Sequence, residues 1–119
     1  MSYHNELGKL GEHLAIAYLQ KQGFTILKHN YYYQRAEVDI IARHNNTLVV
    51  VEVKTRNSSF FGDPQNFVTR NKIQLLVKAA QQFLQENNLN LEVRFDIIAI
   101  IKNSKQEELV HIPDAFYFF

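Results

Sequence analysis

The chain has no cysteine. Disulfides and thiolate metal sites are therefore excluded, and a reducing compartment is compatible with the composition. No apolar run approaches the ~20 residues that span a bilayer. The opening "MSYHNELGKLGEH" lacks a basic stretch followed by an apolar one, so no signal peptide is expected. Repeats, low-complexity tracts and Pro/Ser-rich linkers are missing as well. Charge of one sign is also scarce: the formal net charge is +1, which by itself does not announce a polyanionic partner. The expected setting is cytoplasmic, with no membrane partner.

What is present is ordinary for a globular protein. Hydrophobic residues make up 46% and charged residues 21% of 119 positions. That length suits a single domain over 1–119 that buries a core without covalent staples. The charge is unevenly spread. Residues 54–78 carry Lys54, Arg56, Arg70, Lys72 and Lys78 against Asp63 alone. Such a local excess is either an electrostatic footprint for phosphates or a solvated helix face.

The pattern predicts a helix over about 5–22, with Asn5 as its cap and Gly23 as its left-handed stop. Leu7, Leu10, Leu14 and Tyr18 form one stripe at helical spacing, expected to face the core. Gly8, Gly11, Ala15 and Leu19 form a second stripe, where two glycines signal a close neighbour. Glu12 borders that small-residue stripe. "FTILKHNYYY", "AEVDIIA" and "LVVVEVK" read as three strands. A helix follows over about 69–87, capped by Thr69, with Ile73, Leu76, Val77, Ala80, Phe83 and Leu84 on its buried face. "LEVRFDIIAII" and "ELVHI" complete an α-β-β-β-α-β-β order. A helix linking the third and fourth strands makes those two parallel, so the expected fold class is α/β, a mixed β-sheet flanked by helices.

The second and third strands carry charges that a buried strand should not. Strand side chains alternate faces, so Glu37, Asp39 and Ile41 share one face, as do Val50, Glu52 and Lys54. Asn45-Asn46 suits a tight hairpin, because Asn tolerates positive φ. A two-residue loop there pairs His44 with Thr47. Carried outward, it sets Asp39 opposite Glu52 and Glu37 opposite Lys54. Carboxylates facing each other across a sheet repel. They raise one pKa or share a cation, and a hard divalent ion would resolve the conflict. A solvated salt-bridge face is the plain alternative for Glu-x-Lys.

Glu12, Asp39 and "EVK" (52–54) resemble the PD-(D/E)XK nuclease motif in the version of small Holliday-junction resolvases. The whole chain resembles the YraN-like family of small bacterial proteins, through "GKLGEHLAIAYLQKQGF", "AEVDIIA", "VEVKTR", "FGDP", "RNKIQLLVKAA", "RFDIIAI" and "PDAF". Ala36 stands where relatives usually carry Gly. The resemblance implies a restriction-endonuclease-like fold and a metal-dependent nuclease acting on structured or branched DNA. A non-catalytic nucleic-acid-binding or scaffold protein on the same fold is the other class. The implied metal ligands are Asp39, Glu52, the Val53 carbonyl and Glu12, directly or through water, holding Mg²⁺ or Mn²⁺. Lys54 would act on the water or on developing charge. Glu12, Asp39, Glu52 and Lys54 are thus the catalytic candidates. Arg56, Arg70, Lys72 and Gln74 are candidates for the phosphate backbone. Glu37 is assigned to pair with Lys54 or an arginine. A two-fold junction would favour a homodimer.

Remaining candidates carry less chemistry. The five histidines show no metal spacing such as H-E-x-x-H. "NYYY" (30–33) either fills a strand or stacks on bases. Phe60 and Phe61 lie in the loop beside the site. The terminal "AFYFF" packs on the sheet or forms a self-association surface.

Overall fold

The computed structural model describes residues 3–58 and 68–116. Phe60 and all of "FGDP" (61–64) lie outside the described residues, as do the last three aromatic positions. The elements are α1 (Tyr3–Lys21), β1 (Thr25–Tyr33), β2 (Ala36–His44), β3 (Thr47–Arg56), α2 (Arg70–Glu86), β4 (Glu92–Lys102) and β5 (Glu107–Ile112). The order is the expected one. The sheet runs β1-β2-β3-β4-β5, with β3 and β4 parallel and the other neighbours antiparallel. This mixed α/β layout accords with the restriction-endonuclease-like architecture.

Each helix covers one face. Against α1 lie Ile40, Ala42, Val49, Val51, Ile98 and Ile100, and against α2 lie Ile41, Leu48, Val50, Phe95 and Ile97. β3 and β4 are therefore apolar on both faces, as strands buried between two layers must be. Thr69 caps α2, its Oγ1 accepting from the Lys72 N–H at 3.2 Å. Asn45 takes φ +56° in the β2–β3 turn and Gly23 takes φ +90° after α1, both as expected. Ala36 pairs with Tyr33 in ordinary strand conformation, so the position tolerates a Cβ.

Two expectations for α1 are corrected. The helix begins at Tyr3, which puts Asn5 inside it and not at its cap. The buried stripe is Gly11, Ala15 and Leu19, whereas Leu7, Leu14 and Tyr18 are half-buried and Leu10 is exposed. The reason is distance. A Cβ on Gly11 would fall inside the Thr55 side chain of β3, so the small-residue side lets the helix come down onto the strand. Larger leucines flank that contact and reach only its margin. Gly8 has open space around it.

A buried polar knot ties β4, β5 and α1 together. Asp96, fully buried on β4, accepts from Arg94 Nε and Nη2 at 2.9 Å each and from the Asp114 N–H at 3.0 Å. His111 Nε2 sits 2.7 Å from Asp96 Oδ2, and its Nδ1 sits 2.9 Å from the Tyr18 hydroxyl. Burial pulls the Asp96 carboxyl upward. Hydrogen bonds from His111, Arg94 and Asp114 outweigh that and hold it below the usual carboxylate range. The described end of the chain packs on the sheet: the Ala115 N–H donates to the Phe95 carbonyl at 2.7 Å, and Phe116 stacks on Phe95 at 5.2 Å.

Three variants test this packing. Gly11→Ala should lower the unfolding free energy by about 1–3 kcal/mol through overpacking against Thr55. Gly8→Ala should raise it by up to about 1 kcal/mol, since only helix propensity changes. Urea titrations of the two variants check the contrast. Asp96→Asn should cost about 3–5 kcal/mol at neutral pH, because Arg94 loses its buried partner. A depressed carboxylate contributes stability above its unfolded pKa, and that contribution is lost as pH falls through the folded value. The gap between wild type and Asp96→Asn should thus stay constant from neutral pH to about 4 and shrink only below it. A gap that closes already near pH 6 would contradict this account.

Candidate metal and phosphate site at the β2–β3 split

The hairpin register holds for its first five pairs, from His44–Thr47 to Ile40–Val51. It then stops. The expected Asp39–Glu52 and Glu37–Lys54 ladder positions are not formed, and this corrects the simple extrapolation. On the other side, β1 pairs His29 with Ile40 and Tyr31 with Val38, while Asn30 between them takes φ +52°. Ile40 packs on the α1 side, but Val38 packs on the α2 side with Ile41, so the alternation of β2 changes at Asp39. Strict alternation across Glu37, Asp39 and Ile41 does not hold.

Asp39 sits at that change, and its carboxylate replaces a ladder partner. Oδ2 accepts from the Val53 N–H at 2.7 Å, satisfying a backbone donor that β2 no longer meets. Burial first, and the Glu52 charge second, push the Asp39 carboxyl up to about 7 in spite of that hydrogen bond. Glu52 is 2% exposed on the α2 side of β3. Its Oε2 lies 2.7 Å from Lys72 Nζ, and its Oε1 is buried with no hydrogen-bond partner. Burial would lower the Lys72 pKa, but its hydrogen bond to Glu52 and the surrounding carboxylates raise it.

Glu12 approaches from α1. It follows Gly11, so the close Gly11–Thr55 contact fixes it over the same end of β3. Burial and the charges of Glu37 and Glu52 raise its pKa. The structure thus brings Glu12, Asp39 and Glu52 into one electrostatic neighbourhood. Among the described residues, however, no three His, Asp or Glu side chains stand close enough to hold a metal ion together. Lys54 follows on β3, half-buried and level with Ala99 of β4. Glu37 accepts from the Tyr32 hydroxyl at 3.4 Å.

The phosphate candidates divide. Arg70 and Gln74 are exposed one turn apart on α2, continued by exposed Lys78. Arg56 is exposed at the end of β3. Lys72 instead points into the carboxylates. Beside it, a groove of about 360 Å³ runs between the β1–β2 turn and the start of α2, lined by Arg35, Glu37, Thr69, Asn71 and Lys72. Sequence reasoning did not find the Lys72–Glu52 pair, since only the crossover brings α2 over β3. A cation in the first turn of a helix, where the dipole disfavours it, was the one available signal. Tyr31 and Tyr33 pack against the core and Tyr32 is exposed, so "NYYY" fills a strand.

This fold and this pair of carboxylates can be set beside other proteins. A family profile described as "Uncharacterised protein family UPF0102" matches residues 11–100. The chain belongs to that family. It is the YraN-like family suggested by the motifs. The chain is 55% identical to UPF0102 protein FP2501 of Flavobacterium psychrophilum over 119 residues, covering 100% of both. It is 56% identical over the same span to a UPF0102 protein of Christiangramia forsetii. Farther off, it shares 42% identity over 118 residues with one from Geobacter metallireducens, covering 98% of this chain and 97% of that one.

A carboxyl raised in the folded state keeps its proton while the unfolded chain has lost it. Stability then falls as pH rises between the unfolded and folded values. Asp39→Asn, neutral throughout, should match wild type near pH 4 and become more stable between pH about 4 and about 7. Above that the gain should level off on the order of 4 kcal/mol. Chemical denaturation with chelator present across that range is the check. No gain at pH 8 would mean that Asp39 carries no burial penalty.

Proposed function

We propose that this protein is a metal-dependent nuclease that hydrolyses phosphodiester bonds in structured or branched DNA, working in the cytoplasm. The observation that carries this reading is the Glu52 carboxylate. It is buried, one oxygen is orphaned, and it repels a second carboxylate, Asp39, at the edge where two strands part. A buried charge is not left half-satisfied without a cause.

The donor set fits a hard divalent ion. Asp39, Glu52 and the Val53 carbonyl offer oxygen only, and Mg²⁺ is commonly held by one or two carboxylates with water and substrate phosphate. Glu12 stands in the same neighbourhood and would act through water. When bound, Mg²⁺ or Mn²⁺ supplies an acidified water and positive charge for phosphate oxygens. The chain's own residues do the rest. Lys54 orients the attacking water and offsets charge on the phosphoryl group. Arg56, Arg70 and Gln74 hold the backbone without reading sequence. A two-fold substrate would engage two copies. One observation favours a non-catalytic nucleic-acid-binding reading: Lys72 already neutralises Glu52 from within the chain.

Cleavage of duplex, flap, junction and single-stranded DNA and RNA with Mg²⁺ or Mn²⁺ decides between them. Wild type should cut at least one structure, and Asp39→Asn none. Lys54→Ala should bind DNA almost as wild type does and lose most of the rate. Arg70→Ala should weaken binding and reduce the salt dependence, by about 0.9 log units per log unit of salt for a lost phosphate contact. Binding without any cutting would leave the binding-module reading, and no binding at low salt would remove both.

A further inference from the structure

We infer that Lys72 is a tethered counter-ion seated against Glu52, which a divalent cation must displace before the site can load, and that the displaced ammonium turns into the groove beside it. The inference rests on the metal-dependent reading above and adds the device that controls it. Lys72 Nζ lies 2.7 Å from Glu52 Oε2, while Oε1 of the same carboxylate is buried without a partner. One ammonium thus serves one oxygen. A divalent ion with its own waters would serve both, with Asp39 as the second carboxylate.

The geometry allows the exchange. Lys72 lies in the first turn of α2, anchored by the Thr69 cap on its own N–H. Its backbone therefore stays in place while the side chain swings. The side chain is 37% exposed at its ion pair. It also lines the groove of about 360 Å³ with Arg35, Glu37, Thr69 and Asn71. In that groove the ammonium would stand near the Glu37 carboxylate, against Arg35 and the positive end of a helix. A substrate phosphate bound there would add a further anion for it. Metal and phosphate should therefore load together, each favouring the other.

A cation attached to the chain competes at high effective concentration, on the order of millimolar or more. Hence removing it should strengthen metal binding even though it removes a favourable contact. Calorimetric titration with Mn²⁺, without nucleic acid, tests this on wild type, Lys72→Met and Lys78→Met. Lys72→Met should bind about tenfold tighter or better, and Lys78→Met, exposed on the same helix, should match wild type. Equal or weaker binding by Lys72→Met, with wild type binding measurably, overturns the inference and leaves the metal reading intact. No binding by any of the three removes the metal reading and this inference with it. A second readout needs no variant to fold. The lysine ¹⁵Nζ spectrum of the wild type should show an ordered ammonium that loses its protection at saturating Mg²⁺. An unchanged ammonium signal at saturation overturns the inference directly.

Discussion

Glu52 is buried on β3 next to the point where β2 peels away, and the parts around it are arranged to compensate for that charge. The strand cannot expel it, because its neighbours Val51 and Val53 pack on the α1 side. Relief comes from three directions. α2 brings Lys72 to one oxygen. Asp39, which would add a second full charge, is held toward its neutral form. β2 ends its ladder so that Asp39 meets the Val53 N–H and not a paired strand. An apolar sheet interior makes each of these count, since charge interactions weaken only where water reaches them.

The same need explains the close approach of α1. Gly11 against Thr55 is a contact that only a residue without a Cβ can make. It costs helix propensity, and in return it places Glu12 over the end of β3. The opposite end of the α1 face is fixed by a different polar device, the Asp96 knot with Arg94, His111 and Tyr18. There the buried carboxylate has every partner it can use, and its pKa falls. At the split the partners are incomplete, and the Asp39 pKa rises. The contrast separates a fully partnered carboxylate from one left short of partners.

Family membership and the site are separate claims. Relatives with full coverage show the family. The chemistry proposed rests on particular atoms, and a fold hosts many functions. The carboxylates, the lysine on β3 and the basic outer stripe of α2 are features a phosphodiester hydrolase needs. They are also features that a nucleic-acid-binding protein could retain with its site closed by Lys72.

Periodicity and turn chemistry determined the elements by themselves. Strands and helices fell where alternation and helical spacing put them, because local backbone preference and burial agreed. Asn45 and Gly23 took the left-handed geometry that few other residues accept. The parallel β3–β4 pair followed from the helix between them. Asp39, Glu52, Lys54 and Glu12 were legible as charges misplaced in apolar surroundings. The "RFDII" strand hid the role of Asp96, since one acid between apolar residues gives no sign of the β5 histidine that meets it or of the Tyr18 hydroxyl behind that histidine. Tertiary structure alone decided where the β2–β3 ladder stops, at the point where the Asp39 carboxylate takes the Val53 N–H. It alone decided which stripe of α1 is buried, since that is a matter of how near Thr55 can come. It alone put Lys72 on Glu52. These contacts join residues far apart along the chain, and a local pattern carries no record of which distant side chain will fill the space beside it.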